Sequence, residues 1–249
     1  VQAWLRDQAL TPPASMLVVY LHGFASSAGS SKAAYLGERL RACGVDFQAP
    51  DLNLPDFTTL TVTRMLEQTG ALIDRVSAPI TLVGSSLGGF VAVNAAVKWP
   101  DRVSRLVLMA PALDFSDSGL RGPGGADVAE WKRTGSLNVF HFAYGRMMPI
   151  HYALYDDARR YDAMRARIDL PVMVFQGRRD TAVDPVTVEQ WSRARSNVEL
   201  HMLDDGHQLT ASIEYIWEEM KRFLNLTAST PNDPTPNSQV PSRPDRTKG

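Results

Sequence analysis

The chain has 249 residues, 44% of them hydrophobic and 21% charged, with 26 basic against 27 acidic side chains and a formal net charge of −1. That length supports one substantial core in an undivided α/β domain. The balance of charge, with no long run of either sign, excludes the electrostatic footprint of a nucleic-acid or anionic-membrane binder.

Cys43 is the single cysteine, so no intramolecular disulfide forms. The start, Val1-Gln2-Ala3-Trp4-Leu5-Arg6-Asp7, lacks the apolar core of a secretory signal, and no later run is long enough to span a membrane. The expectation is a soluble, cytoplasmic protein. Val1 to Asp7 is read as an edge strand. Met16 to Leu21 is a continuous apolar run, the pattern of a strand covered by helices on both faces. It ends in His22-Gly23-Phe24 and a loop of small residues, Ala25 to Ser31. A helix is expected from about Lys32, capped by Ser30 or Ser31, to about Cys43, where Gly44 stops it. Val45 to Pro50 reads as a short strand leading into a loop with Asp51, Asn53, Pro55 and Asp56. Val62, Met65, Leu66, Leu72 and Ile73 then mark a helix from Thr59 to about Asp74.

The central stretch runs from Ile80 to Trp99. A β-branched run, Ile80-Thr81-Leu82-Val83, passes into Gly84-Ser85-Ser86-Leu87-Gly88-Gly89 and then into an alanine-rich helical pattern. G-x-S-x-G at such a join sets Ser86 on a sharp strand-to-helix turn, with its hydroxyl lifted from the sheet and the helix N-terminus beside it. Val103 to Met109 and Val172 to Gln176 are further strands. Asp184-Pro185 opens a helix with Asp184 as its cap, Val198 to Leu203 is the last strand, and a helix follows from about Thr210 to Phe223. This alternation predicts a mostly parallel central sheet with helices on both faces and the loops after the strands along one edge.

Two regions break the rhythm. Residues 111 to 169 are too long for a crossover and too apolar for a free loop, with Trp131, Phe140, Phe142, Tyr144, Met147, Met148, Tyr152 and Tyr155. They are read as a small helical cap over the loop edge. Residues 228 to 249 are rich in Pro, Ser, Thr, Asn and Asp and are read as a disordered tail beyond a domain spanning 1 to 227.

A serine hydroxyl needs a base, and the base needs an orienting acid. Asp180 and His207 each follow a strand on the edge that carries Ser86. Among five histidines, His22 is read as a brace for the loops, His141 and His151 fall in the cap, and His201 lies within a strand. Asp184, Asp204 and Asp205 compete with Asp180. An oxyanion needs two fixed donors, and the backbone N–H groups of Leu87 and Phe24 stand at the right places. Gly23 permits close approach of that loop, and Gly84 and Gly88 relieve crowding at the turn. The scattered histidines and the lone helical cysteine form no metal-ligand motif.

With these residues in hand, the chain from Met16 to Leu226 resembles an α/β-hydrolase, whose order of nucleophile, acid and histidine agrees with Ser86, Asp180 and His207. Tyr20-Leu21-His22-Gly23-Phe24, with Ser26-Ser27, Ser31-Lys32-Ala33 and the Gly84–Gly89 segment, is similar to the YqiA-type bacterial esterases. The resemblance implies hydrolysis of small-molecule carboxylic esters through an acyl-enzyme, without a cofactor. A thioesterase, peptidase or acyltransferase reuses the same chemistry, and a non-catalytic hydrolase-fold binding module is the rival from another class.

Overall fold

The computed structural model describes residues 16–116 and 127–226. The chain runs through β1 (Leu17–Leu21), α1 (Ser31–Ala42), β2 (Asp46–Gln48), α2 (Val62–Ile73), β3 (Ile80–Ser85), α3 (Leu87–Lys98) and β4 (Val103–Met109). An insertion follows, with α4 (Val128–Thr134), β5 (Ser136–His141), β6 (Arg146–His151) and α5 (Ala153–Ala158). The chain then returns through β7 (Val172–Gly177), α6 (Pro185–Arg193), β8 (Val198–Leu203) and α7 (Ile213–Phe223). The expected edge strand at Val1–Asp7 and the tail at 228–249 lie outside the described residues.

Six strands form one sheet in the order β2-β1-β3-β4-β7-β8, and every pairing in it is parallel. The pleat explains why its strands are apolar on both faces. In β1, Leu17, Val19 and Leu21 join one core with α2, α3 and α6, while Val18 and Tyr20 join a second core with α1 and α7. α3 is buried from Leu87 to Ala96. A helix apolar on all sides belongs inside a domain, and its glycines and alanines let it lie close to the strands. The helix starts follow side-chain chemistry. Ser30 Oγ accepts from the Ala33 N–H (3.3 Å), and Asp184 accepts from the N–H groups of Val186 and Thr187 at 3.1 Å each.

The chain leaves β1 toward β2 on one side and resumes at β3 on the other. The carboxyl ends of β1 and β3 therefore flank a crevice, the usual ligand position in an open parallel sheet. No helix among the described residues is long and apolar enough to cross a membrane.

The insertion corrects one expectation, for it is not a purely helical cap. β5 and β6 pair antiparallel, with Phe140 opposite Met147 and His141 opposite Arg146, and Gly145 (φ 63°) helps close the turn. Leu137, Val139 and His141 face inward, whereas Asn138 and Phe140 face out. This is a period of two, concealed in the sequence by aromatic residues on both faces. The hairpin rests on the loops after β1 and β2. The Phe142 N–H donates to the Ala25 carbonyl (2.9 Å), and the His151 N–H to that of Thr58 (2.9 Å). From α4, Trp131 Nε1–H donates to the Ile150 carbonyl at 3.1 Å.

Candidate active site

Ser86 joins β3 to α3 with φ 53° and ψ −118°, a strained conformation for a residue with a Cβ. Neighbouring contacts hold it there. The Ser86 N–H donates to the Met109 carbonyl (2.9 Å), and its carbonyl accepts from Ala112 (3.1 Å). The turn closes only because glycine stands at 88, where a Cβ would fall 2.0 Å from the Leu21 carbonyl oxygen. Gly84 is packed as tightly from the other side, against the Gly88 carbonyl.

The last strand's loop brings His207 across the sheet edge. Its Nδ1 lies 2.9 Å from Asp180 Oδ2 and its Nε2 lies 3.1 Å from Ser86 Oγ. A carboxylate only accepts, so Nδ1 carries the proton and Nε2 is free to accept from the serine hydroxyl. Asp180 is held from all sides. Its Oδ1 accepts from the N–H groups of Ala182 (2.8 Å) and Val183 (2.9 Å), and its Oδ2 also accepts from Gln176 Nε2 (3.0 Å). Burial alone would raise the Asp180 pKa, but the bonds from His207, Val183 and Ala182 outweigh it and hold the carboxyl below its ordinary value.

The competing acids are committed elsewhere. Asp184 caps α6, and Asp204 pairs with Arg179. Asp205 accepts from the N–H groups of Gly206 (2.7 Å) and Ser212 (3.0 Å).

The loop after β1 lies against the nucleophile turn, where a Cβ on Gly23 would sit 3.2 Å from that of Ser86. Among the described residues, the N–H groups of Phe24 and Leu87 donate to no protein acceptor. They remain available to an oxygen bound beside Ser86. His22 braces this loop: its Nδ1–H donates to the Gly23 carbonyl (2.9 Å), and its Nε2 accepts from the Leu52 N–H (2.9 Å). Burial pushes the His22 pKa down, against the backbone bond to Gly23 and the nearby Asp51, which keeps the ring neutral.

His141 is buried in the hairpin, stacked on Tyr144 at 3.9 Å, and His201 on β8 contacts Tyr215 and Glu199. Two supporting residues escape the sequence reading. Tyr20 is buried beneath the turn, its hydroxyl near the side chains of Ser30 and Ser85, and Gln176 holds Asp180. Each is the lone residue with a side-chain hydrogen-bonding group in its apolar strand, a signal that was legible.

One group among the described residues has cation-ligand spacing, namely Glu199, His201 and Glu219. Arg222 already pairs with both glutamates, and Tyr215 with the imidazole, so its donor atoms are engaged away from Ser86. A cleft of about 450 Å³, lined by Asn94, Lys98, Tyr161 and Arg167, opens at the far end of α3 and includes none of the residues around Ser86.

Solved structures with the same architecture include Est1E from Butyrivibrio proteoclasticus with ferulic acid bound (20% identity, TM-score 0.75, covering 86% of this chain and 90% of that one). Alpha/beta hydrolase domain-containing protein 10 from mouse is similar at 21% identity and TM-score 0.69, over 86% and 90% of the two chains. A monoacylglycerol lipase from Paleococcus ferrophilus is similar at 18% and 0.65, over 84% and 93%. At these identities the likeness is one of fold, that of the α/β-hydrolase superfamily. The family model of the uncharacterised protein family UPF0227 matches residues 17–225, and the chain belongs to that family.

Proposed function

We propose that this protein is a serine carboxylesterase of the YqiA type, acting on small carboxylic esters through an acyl-enzyme. The observation that carries the reading is the single imidazole of His207, bonded at once to Asp180 (2.9 Å) and to Ser86 Oγ (3.1 Å). His207 takes the hydroxyl proton as Ser86 Oγ attacks the ester carbonyl, while Asp180 keeps the tautomer and offsets the imidazolium charge. The oxyanion is held by the backbone N–H groups of Phe24 and Leu87. His207 then protonates the leaving alcohol, and in the second half of the cycle it activates water to release the acid. The catalytic unit is the domain from β1 to α7, with the insertion lying over the loops after β1 and β2. A structural neighbour that is a lipase agrees with ester chemistry.

The deciding experiment labels the protein with a serine-directed fluorophosphonate and maps the adduct, alongside turnover of a short-chain aryl ester, its thioester and its anilide. Adduct on Ser86 with ester turnover dominant is expected. Adduct with dominant thioester turnover would reassign the substrate class, and no adduct would leave a binding module.

A further inference from the structure

Every residue of β7 is buried, and Gln176 alone among them carries a side-chain amide. The orientation of that amide follows from its neighbours. Nε2 lies 3.0 Å from Asp180 Oδ2 and 3.2 Å from the Gly177 carbonyl oxygen. Both are acceptors, so the amide turns its two N–H groups toward them and its own oxygen away. That oxygen, Oε1, is buried and meets no donor among the described residues. An unmet acceptor in a strand that otherwise packs as hydrocarbon is a cost that a methionine or leucine there would not carry.

Neither partner needs Gln176 in order to be hydrogen-bonded. The Gly177 carbonyl also accepts from the Asp180 N–H (3.3 Å), and Oδ2 also accepts from His207 Nδ1–H (2.9 Å). What Gln176 adds is a second fixed point for the carboxylate. Oδ1 is held by the N–H groups of Ala182 and Val183, which belong to the same loop as Asp180 itself. Without Gln176, the hydrogen bonding at Oδ2 would come from His207 alone among the described residues, on the separate loop after β8. Through Gln176 that oxygen is tied to β7, a strand paired on both sides, by β4 and by β8.

We propose that Gln176 is a positioning residue for the reaction assigned above: its amide fixes the plane of the Asp180 carboxylate, and so the direction in which His207 presents Nε2 to Ser86. The inference rests on the esterase reading and adds a residue outside the triad, on a strand rather than on a loop. A misdirected imidazole slows proton transfer from Ser86 without weakening the fold, because the rate depends on that alignment and the packing of β7 does not. The buried, unmet Oε1 is the stability cost of the alignment.

The test compares the wild type with Gln176→Met, which keeps the length of the side chain and removes both donors. The rate at which a fluorophosphonate modifies Ser86 reads the nucleophile. The downfield proton resonance of His207 Nδ1–H, assigned by its absence in His207→Gln, reads the bond to Asp180. In Gln176→Met the limiting modification rate should fall by roughly tenfold with half-saturation unchanged, and the resonance should move from its wild-type position. The thermal transition should hold or rise. An unmoved resonance overturns the proposal, as does a rate loss below about twofold or a thermal transition that falls together with the rate. Should Gln176→Met not fold, Gln176→Leu takes its place, and failure of both would make the residue structural and overturn the proposal. The resonance needs no substrate, so absence of adduct on wild-type Ser86 overturns the esterase reading and is separate from failure at Gln176.

Discussion

The loop edge of the parallel sheet and the β5–β6 hairpin are both rich in large apolar residues, yet they meet water in opposite ways. At the edge, the polar groups of Asp180 and His207 are bonded to named partners and the surrounding apolar residues are buried. On the hairpin, Phe140, Phe142, Tyr144 and Met147 are exposed, and Phe142 reaches 71%. A strand inside a six-stranded sheet has helices on both faces, so its side chains have no exposed side to occupy. A two-stranded ribbon has one face on the domain and one bare. The proposed catalytic groups therefore lie where packing is closed on all sides, and the large exposed side chains where it is open.

The comparison breaks first at the edge. Ser86→Ala should lower ester turnover at least a hundredfold while the thermal transition stays nearly in place, because the hydroxyl adds little to packing. Equal rates for variant and parent would remove the nucleophile from Ser86. Asp180→Asn should cost about 10²- to 10⁴-fold in kcat. An amide can donate toward Nδ1, which turns the imidazole to the tautomer that cannot accept from Ser86. A loss below about tenfold would mean that some other group orients the ring.

A smaller effect joins the two regions through their buried histidines. The His22 and His141 pKa values both lie below the ordinary 6.5, burial being the largest cause in each. Their unfolded counterparts bind a proton first as pH falls. Stability is therefore complete above pH 6.5 and is lost through the interval between 6.5 and each lower folded value. Per histidine this is at most about 1.4 kcal/mol for each pH unit. Denaturant midpoints at pH 7.5 and 5.5 measure it, and His22→Gln should flatten the slope. A slope unchanged by that substitution would show that His22 is not held neutral.

The same contrast explains what the sequence disclosed. β4 and β8 fall on the residues expected, because each is a short, mainly apolar run between breakers, interrupted by Ser104 and Arg105 in β4 and by Glu199 and His201 in β8. Ser86, Asp180 and His207 could be named together because each follows such a run, and parallel topology sends those ends to one edge. The hairpin was illegible. Its alternation is interrupted by exposed Phe140 and Met147, which composition alone reads as core.

The smallest effect is expected at the open face. Phe142 contributes its backbone N–H to the Ala25 carbonyl, one residue beyond the proposed oxyanion donor Phe24, while its ring meets Phe140 at 5.4 Å and otherwise faces water. Phe142→Ser keeps the backbone bond and removes an exposed ring, so stability should change by less than about 0.5 kcal/mol. If the hairpin contacts the acyl chain, the variant should raise KM severalfold for a hexanoyl aryl ester and leave the acetyl ester untouched. Loss of the ring's apolar contact is worth on the order of 1 kcal/mol or less when the bound state is itself half-open to water. An equal change for both esters would place the effect in the oxyanion loop rather than in apolar contact, and no change for either would leave the exposed ring without a part in substrate binding.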